Sequence, residues 1–161
     1  ELGGLQQVSQ AIGVLRSADE MYGYLNEQIA KLMNCQMCGI LLHDPSLGQL
    51  VSRPPFYGVD DDLIRHYRIA ITPGTTFYRI YTEGDFWISN ELRADPTLRD
   101  SGLDKLAMLI GVRQTMMVPL VIGGRRIGVV QVSNRLDGAE FTEDQARVLS
   151  IIAAPHCRVS L

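Results

Sequence analysis

The chain has 161 residues, 46% of them hydrophobic and 20% charged, with a net charge of −3 and three cysteines. Such a mixture folds as one domain and excludes an intrinsically disordered chain or a disulfide-stapled mini-protein, and the odd, sparse cysteines fit a reducing, cytoplasmic setting. The basic residues are scattered, without the stripe that holds a phosphate backbone, which excludes nucleic acid as a partner, and no apolar run reaches the roughly 20 residues that cross a membrane.

The chain opens at Glu1 in what reads as the middle of a helix, so a piece excised from a longer protein is expected. Leu5, Val8, Ile12 and Leu15 recur at three-and-four spacing among glutamines, a narrow stripe suited to a partner helix. Residues 1–16 are therefore expected as a dimerisation helix, residues 17–154 as the core, and residues 155–161 as the start of a linker to a missing output domain. Ser17 and Glu20 form a capping box that starts a second helix, with Met21, Leu25, Ile29, Leu32 and Met33 inward and an end near Asn34.

Residues 38–42 and 50–53 read as two strands joined through the turn residues of segment 43–48. A short helix follows within residues 60–67, then an extended stretch over 68–72. The run Pro73-Gly74-Thr75-Thr76 sets up the next helix with a threonine cap, and Gly84 stops it. Residues 86–89 are short and extended, 90–102 polar and turn-rich, and 103–110 spaced for a two-turn helix. Residues 114–122 and 126–134 form a hairpin through Gly123-Gly124, and a second capping box, Thr142 with Gln145, opens a last helix carrying Val148, Leu149, Ile151 and Ile152, which Pro155 ends.

This order predicts an α+β fold with a largely antiparallel sheet. Both hairpin strands are apolar at nearly every position, so both faces of the sheet need cover: the terminal helices on one, the short middle elements on the other.

Val118-Pro119-Leu120, Gly123-Gly124, Ile127-Gly128-Val129, Asn134-Arg135 and Phe141-Thr142-Glu143-Asp144 together resemble a GAF domain, and Pro73-Gly74, Trp87-Ile88-Ser89-Asn90 and Ala94-Asp95-Pro96 resemble that family's middle segment. The resemblance covers nearly the whole chain. It implies a central antiparallel sheet of about six strands, terminal helices on one face and a pocket under short helices and loops on the other. It also implies a bacterial regulatory module that senses a small molecule and controls a linked output domain, such as a histidine kinase or a cyclic-di-nucleotide enzyme. The alternative is a dimerisation and signal-relay module without ligand. A third reading, a redox enzyme like the family's free methionine sulfoxide reductases, needs thiols around the pocket, yet no cysteine lies between Gly39 and His156. The chain is expected to carry no catalysis of its own.

Asn134-Arg135, Phe141 and Asp144 match only in part the signature of cyclic-nucleotide-binding members, since Arg135 and Gln145 replace its Lys and Glu, and the motif there props the pocket from outside. Cys35-x-x-Cys38 reads as small residues entering a buried strand, because a zinc site at that spacing needs two further ligands. His66, among arginines, reads as a surface residue. Eight of the eleven aromatics, Phe56, Tyr57, Tyr67, Phe77, Tyr78, Tyr81, Phe86 and Trp87, fall in the roofing segment with Arg53, Arg65, Arg68 and Arg79 among them. They form either the walls of a pocket for a planar or anionic ligand or the core of a small subdomain. The expected ligand site lies between the sheet and residues 75–110: Thr76 at a helix entrance, Arg79 one turn on as an anion anchor, Tyr78 and Trp87 as flat contacts, and Gln131 as a polar floor. The ligand itself is not named by these residues.

Overall fold

The structure, a computed structural model, describes residues 18–96 and 101–155. The expected dimerisation helix, Ser17 of the first capping box, His156, Cys157 and the linker lie outside the described residues. In chain order the elements are α1 (Ala18–Leu32), β1 (Cys35–Asp44), β2 (Gln49–Tyr57), α2 (Asp61–Ile64), β3 (Arg68–Ala70), α3 (Thr76–Glu83), β4 (Trp87–Ser89), a single 3-10 turn (Leu92–Ala94), α4 (Leu103–Ile110), β5 (Thr115–Ile122), β6 (Arg125–Arg135) and α5 (Glu143–Ala153). The six strands make one antiparallel sheet in the order β3-β2-β1-β6-β5-β4. No helix among the described residues is long and apolar enough to cross a membrane.

The period-two alternation of the central strands divides the core. Cys38, Ile40, Met116, Val118, Val130 and Val132 meet Ile29, Ala30 and Met33 of α1 and Ala146, Leu149 and Ala153 of α5. Met37, Leu41, Leu50, Met117 and Val129 meet the second layer, built from Ile64, Tyr67, Phe77, Tyr81, Trp87, Leu103, Leu106 and Ala107. Both faces are covered as the continuous apolar pattern requires, and the terminal helices share one of them.

Three local expectations are corrected. Met21, Leu25 and Leu32 of α1 are exposed, and the inward side carries Asn26, Ile29, Ala30 and Met33. The rotation follows from Asn26, which is 0% exposed, donates to the Pro55 carbonyl at 2.9 Å and accepts from the Cys38 thiol at 3.6 Å. A polar residue thus holds the centre of the buried stripe, and a second apolar stripe faces outward. Strand β2 also runs past Arg53 through Pro54 and Pro55, because both prolines lie beyond its pairing with β3 and inside a register shift against β1, where no ladder donor is missed. Thr75 stands at the N-cap of α3, but its hydroxyl donates to the carbonyls of Thr72 (2.8 Å) and Ala70 (3.2 Å) instead of accepting from the helix. The cap of α5 forms as expected: Gln145 N–H donates to Thr142 Oγ1 at 3.3 Å and Thr142 N–H to Gln145 Oε1 at 3.1 Å.

Candidate functional site

The layer between the sheet and α2, α3 and α4 is aromatic. Phe77 and Trp87 meet edge to face with centroids 5.0 Å apart, and Phe56 stands edge-on to Tyr67 at 6.3 Å. Phe56 is placed by Gly39, where a Cβ would lie 2.3 Å from its ring, so no other residue fits at that point of β1.

Inside this layer runs a line of buried polar side chains. Tyr67 donates its hydroxyl to Gln131 Oε1 at 2.9 Å, Gln131 Nε2 donates to Thr115 Oγ1 at 3.0 Å, and Thr115 and Ser133 join their hydroxyls at 2.9 Å. Thr115 and Ser133 face each other across the β5–β6 ladder, and Gln131 is two residues along β6 on the same face. All four side chains are buried, and burial holds the Tyr67 phenol protonated far above its ordinary range, the Gln131 bond opposing in part. Such groups are costly in an apolar layer unless paired, and here each is paired with another.

Tyr81 is different. Its hydroxyl is buried without a hydrogen-bond partner among the described residues, its ring lies edge-on to His43 at 5.3 Å, and burial raises its pKa while the nearby Arg126 lowers it.

Among the described residues the layer leaves two small cavities, about 10 Å³ beside Phe77, Tyr81 and Met117 and about 20 Å³ beside Gly39, Leu106, Gln131 and Ser133. The first is the size of one water. On the outer side of the roof, a groove of about 570 Å³ lies between the 3-10 turn and α4, lined by Leu92, Arg93, Asp95, Asp104, Ala107 and Met108. Ala107 and Leu92 also belong to the core layer, so α4 is the wall between the groove and the polar floor.

Of the residues expected at the site, the structure brings together Trp87 and Gln131, which both lie in this layer. Phe77 and Tyr81 take the inward side of α3, leaving Arg79 and Glu83 outward, and Arg79 is 83% exposed with an ion pair to Glu83 at 3.6 Å. Tyr78 is half-buried, and Thr76 is in the first turn of the same helix. His66 is exposed. Thr115 and Ser133 are not among the residues expected at the site, and Tyr67 enters there only as one of the eight roofing aromatics. The signal for one of them is present in the sequence: Ser133 is polar and two residues from Gln131 in an apolar strand, which places both on one face.

Cys35 and Cys38 face the terminal helices, not the roof. Both are free and buried, and burial pushes the Cys35 thiol up to about 12 and Cys38 higher still, so neither is a reactive thiolate. No group of three or more His, Cys, Asp or Glu that could hold a metal occurs among the described residues.

A family model described as GAF domain matches residues 16–155. A domain attributed to a two-component sensor histidine kinase of Sinorhizobium meliloti 1021 superposes with TM-score 0.64 at 20% identity, over 85% of this chain and 86% of that one. A far-red cyanobacteriochrome photoreceptor gives 0.69 at 17% identity, over 94% and 90%. A type II free methionine-R-sulfoxide reductase from Thermoplasma acidophilum gives 0.57 at 16% identity, over 84% and 86%. At these identities the likeness is one of fold. A comparison with curated proteins finds no match.

Proposed function

The chain belongs to the GAF domain family, and from that premise we propose that it is the small-molecule-sensing module of a bacterial signalling protein, acting on a linked output domain. The observation that carries the reading is the polar line Tyr67–Gln131–Thr115–Ser133 under a roof of short helices. Packing alone does not ask for polar groups on that floor, and they give an entering molecule hydrogen bonds to exchange for those it breaks. A ligand seated in the groove against Ala107 and Met108 bears on α4, the wall between it and the polar floor, and reaches Gln131 as that wall moves aside. A pocket of several hundred cubic ångströms suits a metabolite. The output we infer is a histidine kinase or a cyclic-di-nucleotide enzyme in the cytoplasm, two free buried cysteines being consistent with a reducing compartment.

Assembly as a homodimer through the terminal helices belongs to the same reading. Met21, Leu25 and Leu32 of α1 and Val148 and Ile151 of α5 are exposed on helices that share one face of the sheet, an apolar surface suited to a second copy. Leu25→Asp with Ile151→Asp then yields monomers by sedimentation, and an unmodified chain that is already monomeric at high concentration removes the dimer. We read the module as non-catalytic, since its two described thiols are on the face away from the roof. Thiol-driven turnover of free methionine sulfoxide would overturn that.

A relay module without ligand is the second reading, and the filling of the layer favours it, since the cavities beneath the roof hold no more than a water or so. Native mass spectrometry of freshly purified protein separates the two. A retained small molecule that is lost in Gln131→Leu supports sensing. A bare chain, with no thermal shift across planar and anionic metabolites, supports relay alone.

A further inference from the structure

Three side-chain amides run without a break from the end of α4 to the start of α5. Asn134 is buried, with φ +58°, a left-handed conformation that asparagine tolerates. Its Nδ2 donates to the Gly111 carbonyl at 2.9 Å and to Gln36 Oε1 at 3.0 Å, and its Oδ1 accepts from the N–H groups of Arg113 (2.8 Å) and Gln114 (3.3 Å). Gln114, also buried, accepts from Arg135 N–H at 2.8 Å and donates to Asn90 Oδ1 (3.0 Å) and the Ala139 carbonyl (3.1 Å). Asn90 clasps the backbone of Phe141 from both sides, accepting from its N–H at 2.7 Å and donating to its carbonyl at 3.1 Å. The next residue is Thr142, the N-cap of α5.

The roof end of this chain is a joint. Helix α4 hangs between Gly102 (φ +79°) and Gly111 (φ +71°), and a Cβ at Gly111 would meet nothing within 4 Å, so backbone conformation and not crowding calls for glycine there. The groove's other wall is fastened to the same stretch, Leu92 N–H donating to the Arg113 carbonyl at 3.0 Å. Asn134 and Gln114 each have oxygen and nitrogen engaged on different segments, and the Asn90 oxygen is shared between Gln114 Nε2 and Phe141 N–H. A shift at one end therefore either breaks a buried bond or carries the next amide with it.

We propose that Asn134, Gln114 and Asn90 form a relay that transmits displacement of α4 to the first turn of α5. The inference rests on α4 being the wall on which a ligand bears, but its test uses the free chain. Coupling has to be demonstrated by non-additivity, since spatial continuity alone does not establish it. Two near-isosteric substitutions cut the chain at different points. Asn134→Asp removes the donor to Gly111 and keeps the acceptor for Arg113 and Gln114. Gln114→Glu removes the donors to Asn90 and Ala139 and keeps the acceptor for Arg135.

Amide hydrogen exchange is then read over α4, at Phe141 and the first turn of α5, and over α1 as control. Asn134→Asp is expected to speed exchange both in α4 and at Phe141, Gln114→Glu to speed it about tenfold at Phe141 alone, and the double variant to match Gln114→Glu at Phe141, with α1 unchanged. Phe141 exchange untouched by Asn134→Asp, or effects that multiply in the double variant, would overturn the relay. Should the charged variants not fold, Gly111→Ala strains the joint and leaves all three amides in place: faster exchange at Phe141 supports the relay, and exchange confined to α4 rejects it. A chain that binds no ligand yet shows the coupling removes the sensing proposal and keeps the relay; a liganded chain with multiplying effects does the reverse.

Discussion

The two faces of one sheet are built in opposite ways. Against α1 and α5, helices of 15 and 11 residues, the strands present Ile40, Met116, Val118, Val130 and Val132 to small and aliphatic partners such as Ala30, Ala146, Leu149 and Ala153. Against helices of 4, 8 and 8 residues, alternate positions of the same strands meet Tyr67, Phe77, Tyr81 and Trp87 and a buried polar line. Long helices fasten many backbone and side-chain contacts to one rigid unit. Short pieces joined by turns open one at a time, at a fraction of the cost of global unfolding. The difference assigns stability to one face and responsiveness to the other.

The sharpest way to break that contrast is to make one truncation on each side. Leu149 and Leu103 are both almost wholly buried, the first on the inward side of α5 and the second at the start of α4. Leu149→Ala is expected to lower the unfolding free energy by about 2–5 kcal/mol in urea denaturation, with the loss shared by all protected amides. Leu103→Ala is expected to release the amides of α4 first. Identical exchange patterns for the two variants would show that the roof is no looser than the helix face.

Two tyrosine hydroxyls sharpen the picture within the roof. Tyr67→Phe strands Gln131 Oε1 in a buried layer and is expected to cost about 1–3 kcal/mol, whereas Tyr81→Phe removes a hydroxyl with no partner among the described residues and is expected to cost nothing or to stabilise slightly. Equal costs in denaturant melts would mean that Tyr81 is satisfied by a buried water.

The faces also differ in how they meet alkali. Cys38, on the helix face, has its pKa raised by burial from 9.0, and Tyr67, under the roof, from 10.0. Above pH 9 the unfolded thiol has lost its proton while the folded one keeps it, so the unfolded state binds fewer protons and stability falls as pH rises, by about 1.4 kcal/mol per pH unit for one group. The phenol adds its own fall above pH 10. Cys35, raised by burial from 9.0 to about 12, contributes in the same way, so Cys38→Ala is expected to roughly halve the slope between pH 9 and 10 and to leave the steeper loss beyond it. A profile unchanged by the substitution would show that the thiol ionises freely in the folded chain.

The helix face and the hairpin were largely legible in the sequence, because apolar period and capping chemistry are local. The phase of α1 was not, since Asn26 occupies the centre of its buried stripe through bonds to Pro55 and Cys38. At the candidate site, Gln131 stood out as a polar residue in an apolar strand, but its partner Tyr67 lies 64 residues away, a pairing that no local pattern encodes. Arg79 was legible in hindsight: Phe77 and Tyr81 share one side of α3, so Arg79 and Glu83 share another.

The smallest expected effect concerns the two threonines that stand at helix N-caps, one on each face. Thr142 accepts from Gln145 N–H in a reciprocal box and so satisfies an end of α5 that has no other intrahelical partner. Thr142→Ala is expected to cost about 1 kcal/mol and to speed exchange in the first turn of α5. Thr75 is at the same position of α3 with a similar extended backbone, ψ 155° against 163°, yet its hydroxyl donates backward to Thr72 and Ala70. Removing it leaves two carbonyls that water can reach and takes nothing from the helix, so Thr75→Ala is expected to cost less than about 0.5 kcal/mol and to leave α3 exchange unchanged. Equal losses at the two caps would mean that α3 is held at its N-terminus as firmly as α5, and the roof would then lose one of the loose ends on which its opening depends.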